Sequence, residues 1–375
     1  MNKRHLLILL NRSTNQKLYY KKTNEKDDYK METLFMIGNG FDVNCGMKTK
    51  YRDAYPEYIS IKENDETLKH FKEEIEENIE NWGDFEISMA KYAEQLNDEN
   101  AFIECVSDFV SFLGGYLSRQ QESFYKRIME LNCLTDICEE MKKSIKTFYE
   151  GISENINREM ERRNANSLGN IEVISFNYTS VFDKFFYQLY GESFFGYLRV
   201  NHIHGGNDVP VLGMDNEKQI TLNSKPSKNF KRSFIKPFFN SEYDIDRVKD
   251  AENKIKEANT ICVYGMSLGD SDLTWRNMLL EWLKSGSSNH LFIYDYNYSK
   301  KQYKTVPNRM ADEDKAKTKI LNSWGVEQVD SFVEQFHVVC GKNIFNIGDV
   351  IKKSEEKRRR IDKGKRYVGD IISEK

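Results

Sequence analysis

Three things are scarce in this 375-residue chain. Cysteine is thin and unpaired: the six, at 45, 105, 133, 138, 262 and 340, form no CxxC pair and no regular framework. That spacing excludes a disulfide scaffold and leaves reduced thiols in a cytoplasmic protein as the expectation. An excess of one charge is missing too, since 56 Lys and Arg stand against 59 Asp and Glu, a formal net charge of −3. Such a balance disfavours a broad nucleic-acid interface. Nor is there a long hydrophobic run. Leu6–Leu10 follows Lys3 and Arg4 but is shorter than the roughly 7–15 residues of a signal h-region, and no other stretch nears the ~20 continuous apolar residues of a membrane span. No membrane association is expected.

What is present is a series of short apolar runs separated by helical patterns. Thr33–Ile37, Ile171–Phe176, Phe194–Val200, Val209–Gly213, Thr260–Tyr264, His290–Tyr294 and Gln335–Val339 read as strands. Between the first two, apolar residues recur at helical spacing: Leu68, Phe71, Ile75, Ile79 and Trp82, then Phe102, Val106, Phe109, Val110, Leu113 and Leu117, then Leu131, Leu134, Met141, Ile145 and Phe148. Short strands alternating with helices predict an α/β fold with a mostly parallel sheet covered on both faces. The chain divides accordingly into a mobile N-terminal extension (1–30), a core (31–59 and 166–345), a helical insertion (60–165) and a basic C-terminal tail (346–375). The extension should be dispensable, because it has neither apolar period nor motif. Phe102, Phe109, Phe112 and Leu113 offer more apolar surface than one helix face needs, which predicts a homo-oligomer.

Five polar motifs follow or flank these runs: Gly38-Asn39-Gly40-Phe41-Asp42, Trp82-Gly83-Asp84-Phe85-Glu86, Ser175-Phe176-Asn177-Tyr178-Thr179, His202-Ile203-His204-Gly205 and Tyr264-Gly265-Met266-Ser267-Leu268-Gly269-Asp270. Strand ends of a parallel sheet share one edge, where open α/β folds bind ligands. A strand running into Gly38-Asn39-Gly40 can aim backbone N–H groups at a phosphate, or can be only a tight turn. Val43 stands where GxGxxG requires its third glycine and no Walker lysine follows, so neither a standard dehydrogenase nor a P-loop enzyme is supported. Asn177 is either a helix cap or the group that holds a ribose hydroxyl or a water. His204 suits a general base better than a metal ligand, for which no third ligand is spaced; His202 suits a supporting hydrogen bond. Asp270 and Asp272 can cap the following helix. Trp82 reads as core packing with Asp84 and Glu86 solvated, slightly ahead of a catalytic carboxylate. The basic run from Lys352 to Arg366 reads as solvated surface.

As an ordered set these motifs resemble the AbiH-type bacteriophage abortive-infection proteins, from Met31 to about Val339, within a wider sirtuin-like group. The resemblance implies a Rossmann-like core and an antiphage effector that hydrolyses NAD or a related nucleotide. It implies Asn177 and His204 as the catalytic pair, Gly38, Asn39, Gly40 and Asp42 near phosphate, and Gly265, Ser267 and Asp270 near the adenosine end. NAD is then a substrate or ligand, and no metal is called for. Two other functions fit the same residues: a non-catalytic nucleotide sensor that signals through the helical insertion, and an RNA-cleaving toxin built on His202 and His204.

Overall fold

Six strands form one sheet: Thr33–Ile37 (β1), Ile171–Ser175 (β2), Val200–His202 (β3), Thr260–Tyr264 (β4), His290–Tyr294 (β5) and Phe336–Val338 (β6). This architecture comes from a computed structural model that describes residues 33–96, 98–164, 171–190, 200–220, 225–242, 246–327, 332 and 334–373. The expected extension, residues 1–30, and most of the expected strand Phe194–Val200 lie outside the described residues. All neighbours pair parallel in the order β3-β2-β1-β4-β5-β6. That is a Rossmann-like order, and it reverses direction between β1 and β4. The register sets Ile37 beside both Ser175 and Tyr264, so the loops carrying three of the motifs leave the sheet at one level. The expected strand at Val209–Gly213 is irregular chain instead, tied by a single bridge between Gly205 and Pro210. Gly205 takes φ +76, and a Cβ there would meet Val209 O at 2.2 Å, which turns the chain sharply away from the sheet.

The helices, in chain order, are Gly40–Asn44 (α1), Tyr51–Ser60 (α2), Glu66–Glu77 (α3), Phe85–Leu96 (α4), Glu99–Leu131 (α5), Leu134–Thr147 (α6), Glu154–Asn164 (α7) and Val181–Tyr190 (α8). Lys228–Phe234 (α9), Lys236–Glu242 (α10), Arg247–Glu257 (α11), Leu273–Ser285 (α12), Tyr296–Ser299 (α13), Val306–Ser323 (α14) and Ile347–Ser373 (α15) follow. β1, β4 and β5 are buried along their whole length because helices cover both faces, and this is why they read as unbroken apolar runs. Side chains of β1 alternate between two cores. Phe35 and Ile37 pack with Ile137, Met141, Phe182 and Ile347, whereas Leu34 and Met36 pack with Ile255, Trp275, Leu279 and Leu321.

A third core is mostly helical and is built from α2 to α5 with α9 and the irregular chain at Leu212, Met214 and Ile220, around Tyr55, Phe71, Trp82, Phe85 and Phe109. α5 joins two of the cores: Phe102, Val106, Phe109, Leu113 and Leu117 belong to the helical one, while Phe124 and Ile128 belong to the sheet face. Its 33 residues reach about 50 Å at ~1.5 Å per residue, enough for both. It ends on Asn132 in the left-handed conformation, φ 52, a residue type that tolerates this cap. Among the described residues α5 alone is long and apolar enough to cross a membrane, by length and composition. The surface expected to drive self-association is not free, since Phe102, Phe109 and Leu113 are buried and Phe112 packs against the same cluster. The basic C-terminal segment begins as an anchored helix, with Ile347 and Ile351 in the core and Arg127 paired to Glu355 at 2.7 Å.

Candidate active site at the carboxyl edge of the sheet

A cleft of about 280 Å³ opens where β1, β2 and β4 end, and residues from all five motifs line it. Its far wall is the helical core, through Tyr51, Leu113 and Leu117. Strand, turn and helix therefore meet at the switch point of the sheet.

The glycines do a different task there from the one expected of them. Gly38 N donates to Tyr264 O at 2.8 Å and Gly40 N to Gly265 O at 2.9 Å. A Cβ on Gly38 would lie 2.5 Å from Gly265 O, and one on Gly40 would lie 2.5 Å from Gly265 Cα. The loops after β1 and β4 thus press backbone against backbone, and Gly265 at φ +72 completes the contact. Asn39 is engaged as well: its amide donates to Thr49 O at 3.0 Å and its Oδ1 accepts from Thr49 Oγ1 at 2.6 Å. The N–H groups of Gly38 and Gly40 point into the neighbouring loop, so they are not a phosphate cradle. α1, with five residues, adds no helix dipole of consequence.

Asp42 is the buried acid of the site, 1% exposed. Thr179 Oγ1 donates to its Oδ2 at 2.6 Å and Asn177 Nδ2 to its Oδ1 at 3.2 Å. Burial pushes the carboxyl up to about 7, with Asp183 adding to the rise and the Thr179 and Asn177 hydrogen bonds opposing it. An acid poised there exchanges its proton near neutral pH.

Asn177 stands just beyond β2, and its backbone N–H donates to Ser175 Oγ at 3.2 Å. Its carbonyl accepts from His202 Nδ1 at 3.0 Å, while His202 Nε2 lies 2.6 Å from Asp183 Oδ2. Both ring nitrogens of His202 face acceptors, which only the doubly protonated imidazolium satisfies. Burial pulls its pKa down, but the charge and hydrogen bond of Asp183 prevail and hold it above 6.5. His202 is therefore a clamp on the Asn177 loop. Asn177 Oδ1 is buried without a partner among the described residues, and such a group is an exception in a folded chain.

His204 occupies different surroundings. The chain turns after His202, and the His204 ring lies edge-on to Phe176 with centroids 5.4 Å apart. Its Nε2 is buried without a partner among the described residues. Burial drives its pKa well below 6.5, and the charges of Lys236 and Arg247 drive it further. A ring held neutral in this way is a poor proton acceptor, which argues against the general-base role expected for it and leaves it a hydrogen-bonding role.

The remaining motif residues divide. Gly265 and the exposed Ser267 line the cleft. Asp270 does not: its side chain is 82% exposed and turns towards Arg276, 3.6 Å away. Asp272 lines the cleft in its place, its carboxyl pushed up to about 6 by burial against the pull of Lys236. Trp82 packs in the helical core as expected, but the two acids expected in solvent are both engaged. Asp84 Oδ1 accepts from Ile87 N at 3.1 Å, holding the start of α4. Glu86 is buried in an ion pair with Lys236 at 2.9 Å. Desolvation lifts Glu86 to about 7, while Lys236, which burial alone would push down, is kept protonated by Glu86, Asp215 and Asp272.

Lys236, Asp183 and Thr49 escaped the motif reading. For Lys236 a signal existed: it is the lone charge in Phe234-Ile235-Lys236-Pro237-Phe238-Phe239, and a lysine inside an apolar run needs a buried partner. Among the described residues no three His, Cys, Asp or Glu side chains stand together as a metal-ligand group.

No curated protein matches the chain. A family model described as "Bacteriophage abortive infection AbiH" matches residues 34–294, a span that holds all five motifs and the whole cleft. The chain belongs to the AbiH family of bacteriophage abortive-infection proteins.

Proposed function

We propose that this abortive-infection protein hydrolyses the N-glycosidic bond of NAD or a related nucleotide in the switch-point cleft, with Asp42 as the general base. The observation that carries the reading is Asp42 itself: a buried carboxyl near neutrality, held by two side-chain donors at the ligand edge of a Rossmann-like sheet. Asp84 and Asp272 line the same cleft and add carboxyl groups to it. Phosphoryl transfer calls for cations and free N–H donors at the developing charge, whereas cleavage of a ribosyl bond develops a cation that carboxylates stabilise. Gly38 N and Gly40 N are already engaged, and Asp42, Asp84 and Asp272 outnumber the two cations of the lining, Lys50 and Arg52, the second of which is paired with Glu80, so the lining favours the second reaction.

In this step Asp42 accepts a proton from a water whose oxygen attacks C1′ of the ribose. The C1′–N bond breaks and its electron pair neutralises the departing pyridinium, giving nicotinamide and ADP-ribose. Asn177, clamped through His202, orients the water or a ribose hydroxyl with its unpartnered Oδ1. His204, neutral, offers one hydrogen bond to the sugar. An RNA-cleaving pair of His202 and His204 is disfavoured, because one ring is locked as an imidazolium between two acceptors and the other is too weakly basic.

The test is a mass-resolved assay of NAD, nicotinamide and ADP-ribose in phage-challenged cells and with the purified chain. Wild type should form nicotinamide and ADP-ribose in equal amounts, and Asp42→Asn and Asn177→Ala should not. NAD that is bound but intact in both settings would overturn hydrolysis in favour of the sensor.

A further inference from the structure

α15 is anchored at its start and free further along. Ile347 and Ile351 lie in the core, and Arg127 pairs with Glu355 at 2.7 Å. Asn44, on α1 with Asp42, donates through Nδ2 to Phe345 O just ahead of α15, and the Phe345 ring packs on Phe41 with centroids 5.7 Å apart. Arg358 Nη1 still reaches Glu130 O, near the end of α5, at 3.1 Å. Yet residues 356–362, almost two turns, are exposed without exception, whereas a helix lying against a body buries one face in every turn. This part of α15 is a solvated rod whose root is tied to the helix that carries Asp42.

The rod is basic. From Lys352 to Arg366 nine Lys and Arg stand against three acids, a net +6 in a chain of net −3, which leaves −9 on the remainder. A polyanion is therefore drawn to this helix and repelled by the rest of the molecule. Lys353, Lys357 and Arg360 share one face at helical spacing, Lys352 and Arg359 continue it around the helix, and all five are exposed. Ile361 is the one apolar residue between Lys352 and Asp362, so this stretch has no apolar face to enter a bilayer. It holds no aromatic ring on which the bases of a single strand would stack. A B-form duplex fits it better: the major groove, about 12 Å wide, admits a helix of about 10–12 Å and presents phosphates on both walls. The deep, narrow major groove of duplex RNA does not.

We infer that the exposed stretch of α15 is a docking surface for double-stranded DNA, seated in the major groove through phosphate contacts of Lys352, Lys353, Lys357, Arg359 and Arg360. The even charge balance that disfavours a broad nucleic-acid interface leaves room for this single helix. The assignment does not depend on the reaction in the cleft. Because the start of α15 is tied to α1, a bound duplex is held at a set place relative to Asp42.

Fluorescence anisotropy of the full chain with a labelled duplex of about two helical turns tests this. The duplex should bind at about 50 mM salt, and about five phosphate contacts should make binding roughly 10²–10³-fold weaker at about 200 mM. Lys353→Gln, Lys357→Gln and Arg360→Gln together, all at exposed positions, should weaken binding at least tenfold at the lower salt and flatten the slope of log K against log salt by about 2–3. Lys353→Arg, Lys357→Arg and Arg360→Lys together keep the charge and should keep the affinity within threefold. Absence of duplex binding with protein at about 100 µM, the weak end of non-specific DNA binding, would overturn the site. So would a glutamine variant that binds as wild type does. Tighter binding to duplex RNA, to polyglutamate or to phosphatidylglycerol vesicles than to DNA would overturn it in favour of that partner.

Discussion

Replacing Asp42 by Asn keeps the shape of the side chain and removes its charge, which separates the chemistry of the carboxyl from its packing. The geometry can absorb the change: Thr179 still finds an acceptor, and a flip of the Asn177 amide turns its open Oδ1 towards the new NH₂. Burial holds the native carboxyl at about 7 against 3.8 for a free one. Because the folded value is the higher, the folded protein holds this proton more tightly. The contribution to stability is fully present below about pH 4 and is lost as pH rises through about 7. A rise of this size, at roughly 1.4 kcal/mol per pKa unit, caps the effect at about 4 kcal/mol.

The amide that Asp42→Asn introduces does not titrate, so the variant should gain on wild type by about 2–3 kcal/mol between pH 5 and pH 8, read from urea midpoints at the two values. Turnover should fall by about 10²–10⁴, the usual contribution of a positioned base. Wild-type turnover should rise with pH through about 7. Parallel stability curves would refute the perturbed carboxyl, and turnover undiminished in the variant would refute the base.

Gly265→Ala should destabilise by about 2 kcal/mol or more, because it adds a left-handed alanine whose Cβ meets Gly40 Cα at 2.8 Å; an unchanged denaturation midpoint would refute the loop contact. Lys236→Met should cost about 3–5 kcal/mol by stranding Glu86, and adding Glu86→Gln should recover part of it, which a double-mutant cycle measures. His202→Phe should lose about 2 kcal/mol at pH 6 and less at pH 9: the folded pKa is raised, so this stability is full below about 6.5 and fades as pH climbs through the folded value. A gap that widened with pH would refute the imidazolium clamp.

β1, β4 and β5 were legible because burial on both faces leaves an unbroken apolar run, and their parallel pairing follows from the helices between them. Strand ends on one edge then force Asp42, Asn177 and Gly265 together, which is why an ordered set of weak motifs located the cleft. Val209–Gly213 misled because a few apolar residues in a row suit a buried turn as well as a strand; here Val211 and Leu212 are buried without pairing into the sheet. The helical insertion was visible as helices, but not its division, since periodicity marks an apolar face and not what the face meets.

The chemistry was harder to read than the fold, for a reason that Gly38, Gly40 and Gly265 make concrete. A glycine that admits a phosphate and a glycine that admits another backbone look alike in sequence, and only the 2.8 Å and 2.9 Å bonds from Gly38 N and Gly40 N into the neighbouring strand and loop tell them apart. Once those donors are engaged, the aspartates of the lining, Asp42, Asp84 and Asp272, outnumber its cations, Lys50 and Arg52. Proton affinity follows from the same geometry. His204 lies against an aromatic ring with Lys236 and Arg247 acting on it, so it loses basicity, whereas Asp42, buried beside Thr179 and acted on by Asp183, gains it. The ordinary order, carboxyl below imidazole, is thereby reversed, an exchange of proton affinity between the two residues. Burial makes the exchange, and it is set by chain segments 135 residues apart, as in the bond from Asn177 to Asp42, a distance over which no motif can signal it.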